Sequence, residues 1–200
     1  MNRTVFTIVR HSTAPKPETS GQSSDDLREL SEEGRQLARE CRKKLGNPNP
    51  DLVLVPPCLR HRETAILVAG PENLAPTIIV PRLFTPPGPD GDLLNAMFDR
   101  LGYKPLRSYH KNCSETELRC LRHFGVVSWT AVCCTAAIHT AKKVLAIGSA
   151  IYIPAMLFEA ALRLDRETRD MILDWDTPDC GDARVIIDTA GNKVIEVSIW

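Results

Sequence analysis

The sequence predicts an α/β fold, a three-layer α/β/α sandwich with a mostly parallel sheet and helices on both faces. Three observations predict it. Short apolar, β-branched runs alternate with longer helix-like segments along the chain. Those runs are continuously apolar rather than alternating, as strands covered on both faces require. Gly- and Pro-rich punctuation separates each element from the next. With 200 residues, 43% of them hydrophobic, and no repeat, linker or composition break, one domain over residues 1–200 accounts for the chain.

The first run, residues 4–9, is a strand that ends abruptly in Arg10-His11-Ser12. Residues 13–26 are rich in Pro, Ser and Gly and read as an exposed loop. Ser31 before Glu32 and Glu33 marks a helix start, a hydroxyl cap followed by carboxylates in the positive first turn, with Leu37, Cys41 and Leu45 as its expected buried stripe. Gly46 to Pro50 stops that helix. Residues 51–55 form a second strand, and residues 59–68 a helix after Pro56-Pro57. Residues 77–80 form a third strand, followed by a turn-rich loop through Pro89 and several helical segments between Gly91 and Lys142. The fourth strand is 144–147, and Gly148-Ser149 follows it directly, ahead of a helix over 154–164 with Pro in its first turn. A hairpin of strands 183–188 and 194–200 closes the chain around a Gly-Asn turn.

Charge and cysteine content exclude several functions. The 25 basic and 25 acidic residues divide evenly, 13 of each in residues 1–100 and 12 of each in 101–200, so neither half presents a nucleic-acid footprint. The apolar stretch at residues 5–9 is far too short for a signal-peptide core or a bilayer span of roughly 20 residues. We therefore expect a cytoplasmic protein without membrane or nucleic-acid partners. Seven cysteines, an odd and scattered set, read as thiols rather than a disulfide framework.

In mostly parallel sheets, ligands bind outside the carboxyl ends of the strands. Three of the four main strands end in chemistry here: Arg10-His11, then Cys58-Leu59-Arg60, then Gly148-Ser149. At this point the sequence resembles the histidine phosphatase superfamily, also called phosphoglycerate-mutase-like, whose members open with a strand and an Arg-His-Gly triplet. The matching segments are Arg10-His11-Ser12, residues 30–38 (LSEEGRQLA) and residues 57–65 (PCLRHRETA). The chain's compact length and its Leu83 to Gly88 loop are most similar to the short phosphohistidine phosphatases.

The resemblance implies covalent phosphoryl transfer. His11 would attack phosphorus, form a phosphohistidine and release it to water, with no cofactor and no metal. Arg10 and Arg60 would clamp the equatorial oxygens bidentately, and Ser12 and His61 would join Ser149 in binding phosphate or substrate. The expected partner is a small phosphorylated substrate, as a phosphomonoester or phosphoramidate, or a phosphoprotein. Hydrolysis is expected over mutase activity, which needs a more enclosed site.

The sequence departs from the family at one position. The family places a second catalytic histidine after the fourth strand, in a Gly-His pair, and this chain has Gly148-Ser149. A serine hydroxyl donates one hydrogen bond and carries no charge; losing such a preorganised donor typically costs about 10²–10³ in rate. Three explanations stand open: Ser149 is an introduced replacement, or natural with another group supplying the charge, or the mark of a noncatalytic phosphate-ester-binding protein. His61, directly after Arg60, is the better candidate to replace the imidazole; His139 falls at the opposite end of the fourth strand. Asp90 and Asp92 are the carboxylates available as general acid, although their Pro-Gly-Asp-Gly setting reads as a turn. His110, Cys113, Cys120 and His123 hold zinc-ligand types, but Ser114 to Arg119 between them reads as a helix start, which argues against a metal site. Cys133 and Cys134 fall in an apolar stretch and are expected to be buried.

Overall fold

Residues 3–15, 26–190 and 193–200 are described by the structure, a computed structural model. Residues 16–25 of the expected exposed loop lie outside those residues, as do Gly191 and Asn192 of the hairpin turn. Four apolar runs become the parallel core of a six-stranded sheet: β1 (Arg3–Arg10), β2 (Leu52–Val55), β3 (Thr77–Ile79) and β4 (Lys143–Gly148). The terminal hairpin, β5 (Asp182–Asp188) and β6 (Lys193–Ile199), adds antiparallel to β1, giving the order β3-β2-β4-β1-β5-β6.

Among the described residues, seven α-helices flank the sheet: α1 (Glu32–Lys44), α2 (Leu59–Ala69), α3 (Pro89–Leu101), α4 (Leu106–Asn112), α5 (Glu115–Ile138), α6 (Tyr152–Ala160) and α7 (Arg166–Asp174). Alternate residues of each buried strand serve opposite layers. Val53 and Val55 pack with Ala38 and Cys41 of α1 and Ala65 and Val68 of α2, while Leu52 and Leu54 join the cluster of Val132, Ala136, Met156 and Leu157 from α5 and α6. A third cluster, including Leu94, Met97, Tyr109, Phe124 and Tyr152, ties α3 and α4 to the outer side of α5 and α6. The expected three-layer sandwich is the observed one.

Several local expectations are corrected. The buried face of α1 is Gly34, Ala38 and Cys41, with Leu37 and Leu45 only partly covered. Gly34 sets that rotation, because it lies so close to the Thr13 carbonyl that a Cβ would sit 2.1 Å from the oxygen. The Asp90 and Asp92 segment is not a free turn but the first turn of α3, entered through Gly88 at φ 86 and Pro89, where carboxylates complement the helix dipole. Cys133 packs against the core, whereas Cys134 is exposed on the far side of α5. Helix α7 arises where the sequence reading marked no element; Asp165 caps it by accepting from the Thr168 N–H. Ser114 caps α5 in a full capping box with Glu117, as its spacing predicts. The box splits the zinc-like pattern between α4, where His110 lies, and α5, where Cys120 and His123 lie.

Candidate active site

Strands β1 and β4 are parallel neighbours in register, with Arg10 opposite Gly148, so the residues after each strand meet at one edge. The His11 N–H donates to the Gly148 carbonyl at 2.9 Å, which locks the Arg10-His11 corner to the start of the Ser149 loop. The N-terminal turn of α2 approaches the same edge from the end of β2 and carries Arg60 and His61. The rings of His11 and His61 meet edge to face with centroids 4.6 Å apart, and His61 Nε2 lies 2.9 Å from Ser149 Oγ. Arg10, His11, Arg60, His61 and Ser149, distant in sequence, therefore share one site.

Each side chain is held by identifiable contacts. Arg10 donates through Nη1 to the Thr177 carbonyl at 2.5 Å and pairs through Nη2 with Asp179 at 2.8 Å. The Tyr103 ring lies 4.8 Å from the Arg10 guanidinium carbon, a cation–π contact. Arg10 Nε is buried without a hydrogen-bond partner among the described residues. Arg60, 4% exposed, lies beside the Phe84 ring. Thr64, one turn further along α2, donates to the Arg60 carbonyl and accepts the Ser12 N–H, joining α2 to the loop after β1.

Ser12 has a different role from the one expected of it. It is fully buried, its N–H bonded to Thr64 and its hydroxyl to the Gly34 carbonyl at 2.7 Å, so it cannot contact a substrate. Its carbonyl accepts from His11 Nδ1 at 2.8 Å. A carbonyl only accepts, so Nδ1 carries the proton. Burial, and then the charge of Arg60, push the His11 pKa down to about 3, so the ring is neutral near pH 7 and Nε2 holds a free lone pair. His61 is likewise held well below the ordinary histidine range, by burial first and then by His11 and Arg60. The expectation that His61 supplies a positive charge is corrected: it is fully buried, its pKa is held below the ordinary range, and it contacts the His11 ring and the Ser149 hydroxyl.

The sequence reading missed four contributors. Arg28 lies close enough to depress both imidazoles and donates to the Pro15 carbonyl, but a single arginine in a loop carries no periodic signal. Asp179 and Thr177 are brought to Arg10 because β5 runs antiparallel to β1 and its start lies beside the end of β1, and Tyr103 reaches Arg10 from the loop between α3 and α4. Asp90 and Asp92 are exposed at the start of α3, and the contacts that define the site do not include their carboxylates. His139 caps the end of α5, before β4 begins, as its position in the sequence suggests.

Residues 6–84 match the family model described as "Histidine phosphatase superfamily (branch 1)". That segment, about two fifths of the chain, carries the histidine phosphatase signature, and the rest of the chain is compared by fold alone. Solved structures agree over nearly the whole length. Bacillus stearothermophilus YhfR is 18% identical, with 98% of this chain and 96% of that one covered at a TM-score of 0.64. The Agrobacterium tumefaciens protein described as "putative phosphohistidine phosphatase SixA" is 16% identical over 98% and 97%, at 0.59. The phosphoserine phosphatase of Entamoeba histolytica, solved with 3-phosphoglyceric acid, is 14% identical over 98% and 96%, at 0.61. At these identities the likeness to solved structures shows the fold alone. No curated protein sequence matches the chain. The histidine phosphatase match covers β1 through the turn at Phe84, the part that holds His11, Arg10 and Arg60, whereas Ser149, Thr177 and Asp179 lie beyond it.

Proposed function

We propose that this protein is a phosphatase that hydrolyses a phosphomonoester or phosphoramidate through a phosphohistidine on His11. The observation that carries the reading is the His11 Nδ1–H bond to the Ser12 carbonyl, which leaves Nε2 as an unprotonated nucleophile amid Arg10, Arg60 and Arg28. In the first step the Nε2 lone pair forms a bond to phosphorus, and the bond to the leaving oxygen or nitrogen breaks with its electron pair to that atom, which takes a proton. Water then attacks phosphorus, the N–P bond returns its pair to Nε2, and inorganic phosphate leaves. Arg10 and Arg60, fixed before substrate arrives, stabilise charge on the equatorial oxygens without reorganising. The first turn of α2 adds its positive dipole end on the same side. A low His11 pKa suits this role, because a protonated ring has no lone pair to attack with. Asp90 or Asp92 would have to reach the leaving group from the start of α3 to act as acid. The named activities of SixA and the phosphoserine phosphatase are consistent with this class of substrate. The chemistry proposed draws only on protein side chains and water.

Turnover of p-nitrophenyl phosphate, quenched rapidly, is expected to leave acid-labile, base-stable phosphate on the protein and none on His11→Ala. Equal labelling of His11→Ala would refute the assignment. A noncatalytic phosphate-ester-binding protein is the second reading. It is favoured by the absence of a charged group at Ser149, and it predicts binding of phosphate esters with neither turnover nor trapped phosphate.

A further inference from the structure

His61 is the most deeply buried titratable group in the site, and the family signature does not explain why an imidazole is enclosed there. The ring is fully buried. Its Nδ1 has no hydrogen-bond partner among the described residues, and its Nε2 meets Ser149 Oγ at 2.9 Å. Ser149, by contrast, is half-buried at the mouth of the β4 loop, one residue from the Gly148 carbonyl that anchors His11. The imidazole is inside and the hydroxyl is on the cleft side.

Two tautomers are open to a neutral His61. With the proton on Nδ1, an N–H donor would be buried without an acceptor and near the Arg60 and Arg28 charges. With it on Nε2, only a lone pair is unmatched, and the arginines favour that lone pair. Nε2–H therefore donates to Ser149 Oγ, which frees the Ser149 proton to point elsewhere and polarises it, since an accepted hydrogen bond strengthens the one donated onward.

We propose that His61 and Ser149 form one donor unit, in which the buried imidazole aims the Ser149 hydroxyl proton at a non-bridging oxygen of the group undergoing transfer. Ser149 is the catalytic residue of the pair and His61 a positioning residue. No proton is transferred; the hydroxyl stays protonated and only its hydrogen bond tightens as charge builds on the oxygen. The inference rests on the phosphatase reading for the identity of that oxygen, but the donor unit itself is a property of the protein's own side chains.

Three readouts test it. Histidine-selective ¹⁵N NMR is expected to show His61 neutral with Nε2 protonated between pH 5 and 8; an Nδ1-protonated ring overturns the proposal, because Ser149 would then be the donor to His61. Orthovanadate, which presents the trigonal oxygens of phosphoryl transfer, is expected to bind Ser149→Ala about 10²-fold more weakly, with a comparable loss in kcat for p-nitrophenyl phosphate and little change in KM. His61→Leu should lose as much as Ser149→Ala. The double variant should lose no more than either, and His61→Gln, whose amide can donate, should recover at least tenfold of the His61→Leu loss. Additive losses, or unchanged vanadate affinity in Ser149→Ala, overturn the unit. If His61→Leu fails to fold, the same cycle run with His61→Gln and Ser149→Ala retains the test: a loss in the double variant beyond that of Ser149→Ala alone overturns it. Phosphoserine trapped on Ser149 would overturn it as well. Vanadate binding and NMR do not require turnover, so a protein that binds vanadate as expected yet never forms phosphohistidine refutes the phosphatase reading and leaves the donor unit standing.

Discussion

One carbonyl, that of Ser12, decides which nitrogen of His11 is available, and burial, reinforced by the surrounding arginines, keeps the ring neutral. This has a consequence for stability. The folded His11 pKa, about 3, lies below the value near 6.5 expected of an unfolded chain, so below pH 6.5 the unfolded state binds more protons. Stability therefore falls as pH drops from about 6.5 toward 3, and His11 alone accounts for about 3 kcal/mol of loss by pH 4. Urea unfolding at pH 7 and pH 4 should show that loss in the wild type and a smaller one in His11→Gln; an equal loss in both would show that the ring is not held neutral by the fold. The Arg10 clamp depends similarly on one partner. Asp179 fixes the guanidinium at 2.8 Å, and Asp179→Asn, which keeps the shape and removes the charge, is expected to lower kcat/KM for an aryl phosphate about tenfold by loosening that aim. Unchanged kinetics would mean that the Thr177 carbonyl alone orients Arg10.

At the scale of elements, the site is built where three secondary structures end. The loop after β1 is pressed into α1 at Gly34, which accepts the Ser12 hydroxyl and leaves no room for a Cβ beside the Thr13 carbonyl. Gly34→Ala must push that backbone away, and because the obstacle is main chain rather than a flexible side-chain end, relief requires moving Ser12 and with it His11. The expected outcome is a loss on the order of 2–3 kcal/mol in unfolding free energy together with a drop in phosphatase activity larger than the stability loss explains. Full activity at reduced stability would show that the loop and His11 move independently. Thr64 plays the matching part on α2, holding Ser12 and the Arg60 turn in one hydrogen-bonded unit.

For the molecule as a whole, the cleft gathers side chains from β1, α2, the β4 loop, the segment before β5 and the loop between α3 and α4, all attached to one sheet. An oxyanion that binds those side chains together binds the folded state alone. Orthovanadate at about a hundred times its dissociation constant should stabilise the fold by about 2.7 kcal/mol and raise the melting temperature by several degrees. No shift for the wild type would argue against an anion site at this edge, and a shift retained in an Arg10→Ala, Arg60→Ala double variant would place the anion elsewhere.

The sequence by itself determined the layers and half of the chemistry. Continuous apolar runs such as residues 52–55 have to be covered on both faces, and placing Arg10-His11 and Arg60 directly after such runs puts them at the edge where parallel strands end. Helix starts at Ser31 and Ser114 were legible because capping is a local interaction between residues three apart. Only the tertiary structure decided the rest. That Asp179 and Thr177 hold Arg10 follows from the antiparallel addition of β5, and that Ser12 is a buried brace follows from contacts with Gly34 and Thr64, 22 and 52 residues away. The neutrality of His11 and His61 was likewise beyond the sequence, because a side chain's pKa is set by burial and by charges brought near in space, whereas sequence patterning records only which neighbours lie near along the chain.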